Sequence, residues 1–159
     1  MAAIEKILVP TDFSDASAAA LKYACQLADG LNASLCVLHS IENPYPLGVY
    51  TEYYNPPQEF LDWWERERRK NLEASLTPEE KSKYRATYVL RTGGAAHEIL
   101  MYLQEHPDVD LVVMATHGRG GVARLMMGSV ADKVVRAAHC PVVTFRVPEL
   151  AGQSAGRAA

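Results

Sequence analysis

The sequence predicts an α/β domain: a mainly parallel sheet with helices on both faces. Two observations carry this. Short apolar runs alternate with amphipathic stretches of helical length along nearly the whole chain, and no internal repeat interrupts them. The run VDLVVMAT, Val109 to Thr116, is apolar on both faces, as a central parallel strand should be. Strand-helix-strand units of this kind imply right-handed crossovers.

The elements follow in order. KILVPTD, Lys6 to Asp12, is a β-branched run that stops at Pro and Asp and forms the first strand. Ser14 can cap the next segment, where Ala18, Leu21, Cys25, Ala28 and Leu31 recur at helical spacing until Gly30 and Asn32 break it. SLCVLHSI, Ser34 to Ile41, is the second strand, and the Pro- and Tyr-rich stretch from Glu42 to Pro57 is a loop. The charged segment from Gln58 to Ala74 is helical, with Phe60, Leu61 and Trp64 on its apolar side. Thr77, Pro78 and Glu80 carry the residues of a capping box and open a short helix. Tyr84 to Gly93 alternates as a third strand. Ala96, Ile99, Leu100 and Leu103 line a helix that His106-Pro107 ends. After the fourth strand, Val122, Leu125, Met126, Val130 and Val134 mark the last helix, and CPVVTFRV gives the fifth strand.

With 159 residues, 48% of them apolar, the chain suits one core, expected over residues 1–147; the small, polar tail 148–159 is expected to be disordered. A net charge of −3 supplies no basic field for nucleic acid or an anionic membrane. Cys25, Cys36 and Cys140 are odd in number, far apart and set in apolar segments, which fits reduced core thiols better than disulfides or metal ligands. No signal-peptide pattern precedes KILVPTDFS, and no apolar run approaches the roughly 18 residues that span a bilayer. A soluble, cytoplasmic protein is expected.

In parallel sheets of this type, ligands bind beyond the carboxyl ends of the strands. The stretch ATHGRGG, Ala115 to Gly121, leaves the fourth strand with three glycines in four positions, and Gly128-Ser129 follows. Gly118, Gly120 and Gly121 can take positive φ and let a ligand approach bare backbone, while N–H groups at a helix start attract anions such as phosphate. The same glycines would serve a plain tight turn, and spacing alone does not separate the two readings. Asp12 can accept hydrogen bonds from ribose or adenine, or act as a helix cap. The backbone of Ser40 can read an adenine edge.

ILVPTDFSDAS near the start and ATHGRGG…LMMGSVADKVVRAAHCPVV near the end resemble the universal stress protein family. The resemblance covers nearly the whole ordered chain. It implies a Rossmann-like fold of the adenine nucleotide alpha hydrolase-like type: an open twisted five-stranded parallel sheet in the order 3-2-1-4-5. The family's ATP-binding branch carries Gly-x-x-Gly-x9-Gly-Ser/Thr. Here the second glycine is Gly118, nine residues follow, and Gly128-Ser129 close the pattern, but its first glycine is replaced by Ala115. By this resemblance the site would comprise Pro10, Thr11, Asp12, Ser40, Ala115, Thr116, His117, Gly118, Arg119, Gly121, Gly128, Ser129 and Val130. The implied ligand is ATP with Mg²⁺ or Mn²⁺, hydrolysed slowly at most. The implied role is a nucleotide-dependent regulatory or protective one under stress, in which ATP orders the segment from Thr116 to Met127 and the region from Tyr50 to Trp64. A dimeric scaffold without nucleotide is the alternative that Ala115 keeps open.

The fifth strand, Pro141 to Arg146, is expected to be an apolar sheet edge covered by a second copy of the chain in a homodimer. Trp63, Trp64, Tyr50, Tyr53 and Tyr54 offer either a surface for an unidentified protein partner or packing against the sheet. His39 and His139 lie in apolar surroundings, and His97 and His106 belong to a helix and its end. None has metal-ligand spacing.

Overall fold

The computed structural model describes residues 3–42, 57–116 and 127–146. Their elements are β1 (Lys6–Pro10), α1 (Asp15–Leu31), β2 (Ser34–Ile41), α2 (Gln58–Glu73), α3 (Pro78–Lys83), β3 (Thr87–Thr92), α4 (Ala95–Glu105), β4 (Leu111–Ala115), α5 (Ser129–Ala137) and β5 (Val142–Phe145). The five strands form one sheet in the order β3-β2-β1-β4-β5, and every pairing is parallel. This is the expected fold class and strand order.

Both faces of the sheet are buried, and the period-2 alternation of each strand divides its side chains between two cores. Ile7, Val9, Val37 and Val113 point to one side, where α1 contributes Leu21, Ala24 and Ala28 and the α2–α3 region contributes Leu72, Leu76 and Tyr84. Leu8, Leu38, Val112 and Met114 point to the other, against Ile99 and Leu103 of α4 and Ala131 and Val134 of α5. At the amino end of the sheet, Asp110 Oδ2 accepts the backbone N–H groups of Glu5 and Lys6 at 2.8 and 3.0 Å, fastening the start of β4 to the start of β1.

Local chemistry sets the helix ends. Ser14 is extended and its side chain accepts the Ser17 N–H, as an N-cap should. Thr77 and Glu80 form the expected capping box, with Pro78 at the first helical position. Three boundaries differ from the sequence reading. First, α1 runs through Gly30 and stops at Asn32, whose left-handed φ of 53° turns the chain while its N–H reaches the Ala28 carbonyl. Second, β3 begins at Thr87 because Tyr84 closes α3 and Arg85, at φ 47°, turns the chain first. Third, α5 begins only at Ser129: Gly128 is extended, so the helical periodicity read from Val122 is not one continuous helix. Val122, Leu125 and Met126 lie outside the described residues, as do Tyr50, Tyr53, Tyr54 and the tail from 147 to 159.

The apolar side of α2 is only partly used. Leu72 is its buried residue, whereas Leu61 is 37% and Trp63 48% exposed. Phe60 and Trp64 stack on each other, and the Arg68 guanidinium sits 4.4 Å over the Trp64 ring. The helix is therefore anchored from its carboxyl-terminal end. Leu72→Ala should cost about 3 kcal/mol in urea unfolding, the usual penalty for emptying a fully buried leucine site. Leu61→Ala should change stability by no more than about 0.5 kcal/mol.

Candidate functional site

β1 and β4 are neighbours, yet the helix after β1 packs in the first core and the helix after β4 in the second. The two connections must leave the sheet in opposite directions. A crevice between diverging connections is the ligand position that open parallel sheets provide. Pro10 ends β1 with Thr11 and Asp12 just beyond it, Ser40 stands near the end of β2, Ala115 and Thr116 at the end of β4, and Gly128, Ser129 and Val130 at the start of α5, Val130 packing against the second core. All are brought to the carboxyl edge of the sheet. His117, Gly118, Arg119 and Gly121 lie outside the described residues.

The turn from β1 into α1 is wired throughout. β2 outlasts β1 and holds Thr11 by both backbone groups: the Thr11 N–H donates to the Leu38 carbonyl at 2.8 Å, and the Thr11 carbonyl accepts from His39 Nδ1 at 2.8 Å. Ser17 Oγ donates to the Ser14 carbonyl at 2.9 Å. A hydroxyl has one proton, so in the 3.0 Å contact between Thr11 Oγ1 and Ser17 Oγ the threonine is the donor. Thr11 Oγ1 in turn accepts the Phe13 N–H at 3.1 Å. Asp12 Oδ1 accepts both the N–H and the hydroxyl of Ser14, at 3.0 and 2.6 Å. Asp12 therefore is not the cap of α1; it orients the residue that is. Phe13, between them, sits at φ 62°, a left-handed conformation that costs an L-residue roughly 1–2 kcal/mol.

The opposite wall is closed more simply. The Thr116 N–H donates to the Phe145 carbonyl at 2.9 Å, and the Thr116 carbonyl accepts the Gly128 N–H at 2.7 Å. This second bond ties the two ends of the glycine-rich segment together at the tip of β4. Gly128 then opens α5 with no side-chain cap, so the N–H groups of the first helical turn face the crevice side of the sheet without a side-chain acceptor supplied by the N-cap. The Ser40 hydroxyl is engaged towards the end of β3, donating to the Gly93 carbonyl at 2.7 Å. Only its backbone remains as the expected base reader.

Sequence reasoning missed two residues that shape this site. His39 is buried, as its apolar surroundings implied, and is in addition a hydrogen-bonding partner of the turn; His139 is exposed. Ser17 is 3% exposed and links Thr11 to Ser14, although nothing in its spacing distinguishes it from a solvent-facing helix residue. Ser17→Ala would leave the Thr11 hydroxyl without its acceptor, while the Ser14 carbonyl keeps the Ala18 N–H. A loss of about 2 kcal/mol in thermal or urea unfolding is expected, within the range for an orphaned buried polar group.

A cleft of about 390 Å³ runs from the β1–α1 turn between α1 and the α2–α3 corner, lined by Thr11, Phe13, Leu21, Cys25 and Leu76 with Lys22. Several of its polar groups are already engaged: Ser75 Oγ donates to the Leu72 carbonyl and Glu80 belongs to the capping box. Burial pushes the Cys25 thiol up to about 11. All three cysteines are free thiols. At pH 8 Cys25 should resist iodoacetamide in the folded chain, while a denatured sample alkylates all three within the same time; fast native labelling of Cys25 would contradict its burial. Among the described residues, no group of three or more His, Cys, Asp or Glu side chains is arranged to hold a metal ion, and no helix is long and apolar enough to cross a membrane.

The universal stress protein family model matches residues 3–146. The chain belongs to this family. A universal stress protein of Bacillus subtilis is 34% identical over 146 residues, covering 89% of this chain and 98% of the relative. One from Methanocaldococcus jannaschii is 30% identical over 146 residues, covering 91% and 84%. Among solved structures, the universal stress protein UspA from Lactobacillus plantarum superposes with a TM-score of 0.71 at 27% identity, over 92% of this chain and 100% of that one. Two more distant members share the fold and were solved with nucleotides. One is a complex with cAMP, with a TM-score of 0.56 at 22% identity over 91% of this chain and 98% of that one. The other is the Archaeoglobus fulgidus protein with dAMP, with a TM-score of 0.57 at 20% identity over 90% and 98%.

Proposed function

We propose that this universal stress protein binds ATP in the crevice between the ends of β1 and β4 and acts as a nucleotide-dependent regulatory or protective protein under stress. The observation that carries the reading is the Gly128 N–H bond to the Thr116 carbonyl, which brings the uncapped start of α5 beside the end of β4. Amide donors and the positive end of a helix dipole suit a phosphate chain. Asp12 supplies a carboxylate for ribose hydroxyls, and the Ser40 backbone lies at the neighbouring strand end for the base. The nucleotides held by the cAMP and dAMP complexes of other family members support an adenine nucleotide as the class of ligand. Mg²⁺ or Mn²⁺ would arrive with the phosphates, which supply most of its ligands in such sites. The chemistry it would contribute is charge neutralisation.

A Glu at position 128 would put a carboxylate and its bulk where the phosphates sit. Calorimetric titration of nucleotide-free protein should show ATP binding in the parent chain and none for Gly128→Glu, with an unchanged far-UV spectrum. Undiminished binding by the variant would place the phosphates elsewhere.

The same reading includes a homodimer through Pro141 to Arg146. β5 lies at the edge of the sheet, and Val142, Val143, Thr144 and Phe145 are each only half-buried. A second copy would cover that edge. Sedimentation equilibrium at micromolar concentration should return twice the chain mass, and a purely monomeric distribution would remove the dimer.

A further inference from the structure

His39 belongs to β2 but acts on the turn after β1. Pro10 pairs with Leu38, so His39 is the first β2 residue beyond the end of its neighbour, and its ring lies over the turn with only 8% of the residue exposed. Its Nδ1 is 2.8 Å from the Thr11 carbonyl oxygen. A carbonyl only accepts, so Nδ1 carries a proton and donates it there. The same ring packs against Phe13, centroid to centroid 4.3 Å at 43°. Thr11 and Phe13 flank Asp12. One side chain thus grips both neighbours of the carboxylate, and the second of them is the residue held at φ 62°.

A strained backbone persists only where its surroundings over-determine it. Releasing Phe13 would let its φ return to negative values, and the peptide carrying Asp12 would rotate with it. We propose that His39 is a positioning residue for nucleotide binding: it locks the turn so that Asp12 meets the ribose already in place, lowering the ordering cost of association. This rests on the nucleotide-binding reading above. His39 does not touch the nucleotide; its effect passes through Thr11 and Phe13.

The test compares two amides that differ only in reach. In His39→Asn the side-chain N–H falls near the position of Nδ1 and can still donate to Thr11. In His39→Gln the same group extends one bond further, past that carbonyl. Both lose the ring and both place an amide in the same partly apolar surroundings. ATP affinity by calorimetry should fall about tenfold in His39→Gln and stay within about threefold of the parent in His39→Asn, in keeping with the loss of roughly one hydrogen bond. Equal affinity in parent and Gln variant would overturn the positioning role, and equal loss in both variants would overturn its passage through the Thr11 hydrogen bond. Amide exchange at Phe13 and Ser14, read by NMR without nucleotide, separates this inference from the reading beneath it. Faster exchange at both amides in His39→Gln, with protection retained in His39→Asn, is expected. If the parent chain binds no adenine nucleotide, the functional reading fails; unchanged exchange in His39→Gln then overturns the clamp as well. Should His39→Gln not fold, His39→Leu takes its place with the same expected losses.

Discussion

The pairing of β1 with β4 through Ile7↔Leu111 and Leu8↔Val112 is the constraint on which the rest of the site depends. It makes neighbours of two strands whose following helices pack on opposite faces. It is also where the chain reverses its direction of strand addition, with β2 and β3 on one flank and β5 on the other. Only two residue pairs form this ladder, and Asp110 reinforces it by taking two backbone N–H groups of the β1 start. With the amino ends fastened, the carboxyl ends are placed side by side. The crevice follows from connectivity before any side chain contributes to it.

The two walls of that crevice are built on different principles. On the β1 side, Thr11, Asp12, Phe13, Ser14 and Ser17 are linked to one another by short-range hydrogen bonds, and β2 holds the first of them by both backbone groups. On the β4 side, the described residues show a bond between Thr116 and Gly128, and the helix that follows has no side-chain cap. The proposed nucleotide would draw on both walls: a carboxylate held by its neighbours on one side and the uncapped start of a helix on the other.

Much of the fold was legible because the signals were local. Ser14, Thr77 and Glu80 announced their helices, since a cap depends on residues within one turn. The central strands β1, β2 and β4 were legible because burial on both faces demands continuous apolar runs. The boundaries that were misread involve conformations which composition does not reveal. Arg85 takes a left-handed φ that any residue can be forced into, and Gly30 sits inside a helix although glycine more often ends one. For the site, Asp12 and Gly128 stood out by residue type and position. His39 and Ser17 did not, because their roles come from contacts made across 28 and 6 positions of chain, and only the register of β1 on β2 and the first turn of α1 bring those partners together.

Ala115 is the one departure from the family's glycine pattern, and its place in the sheet decides how much it matters. It is the last residue of β4 and pairs with Phe145 in the parallel ladder. A strand position has negative φ, and Ala115 is not among the residues with positive φ. Glycine is required where the backbone must take positive φ or where a ligand must touch it directly. The first requirement is absent here, so alanine brings no backbone strain. What remains is the volume of one methyl group at the strand tip. Gly128, by contrast, donates its N–H to Thr116 and starts the helix. The two positions share a motif but not a physical duty, and the one that the phosphate reading depends on is the one that remains glycine.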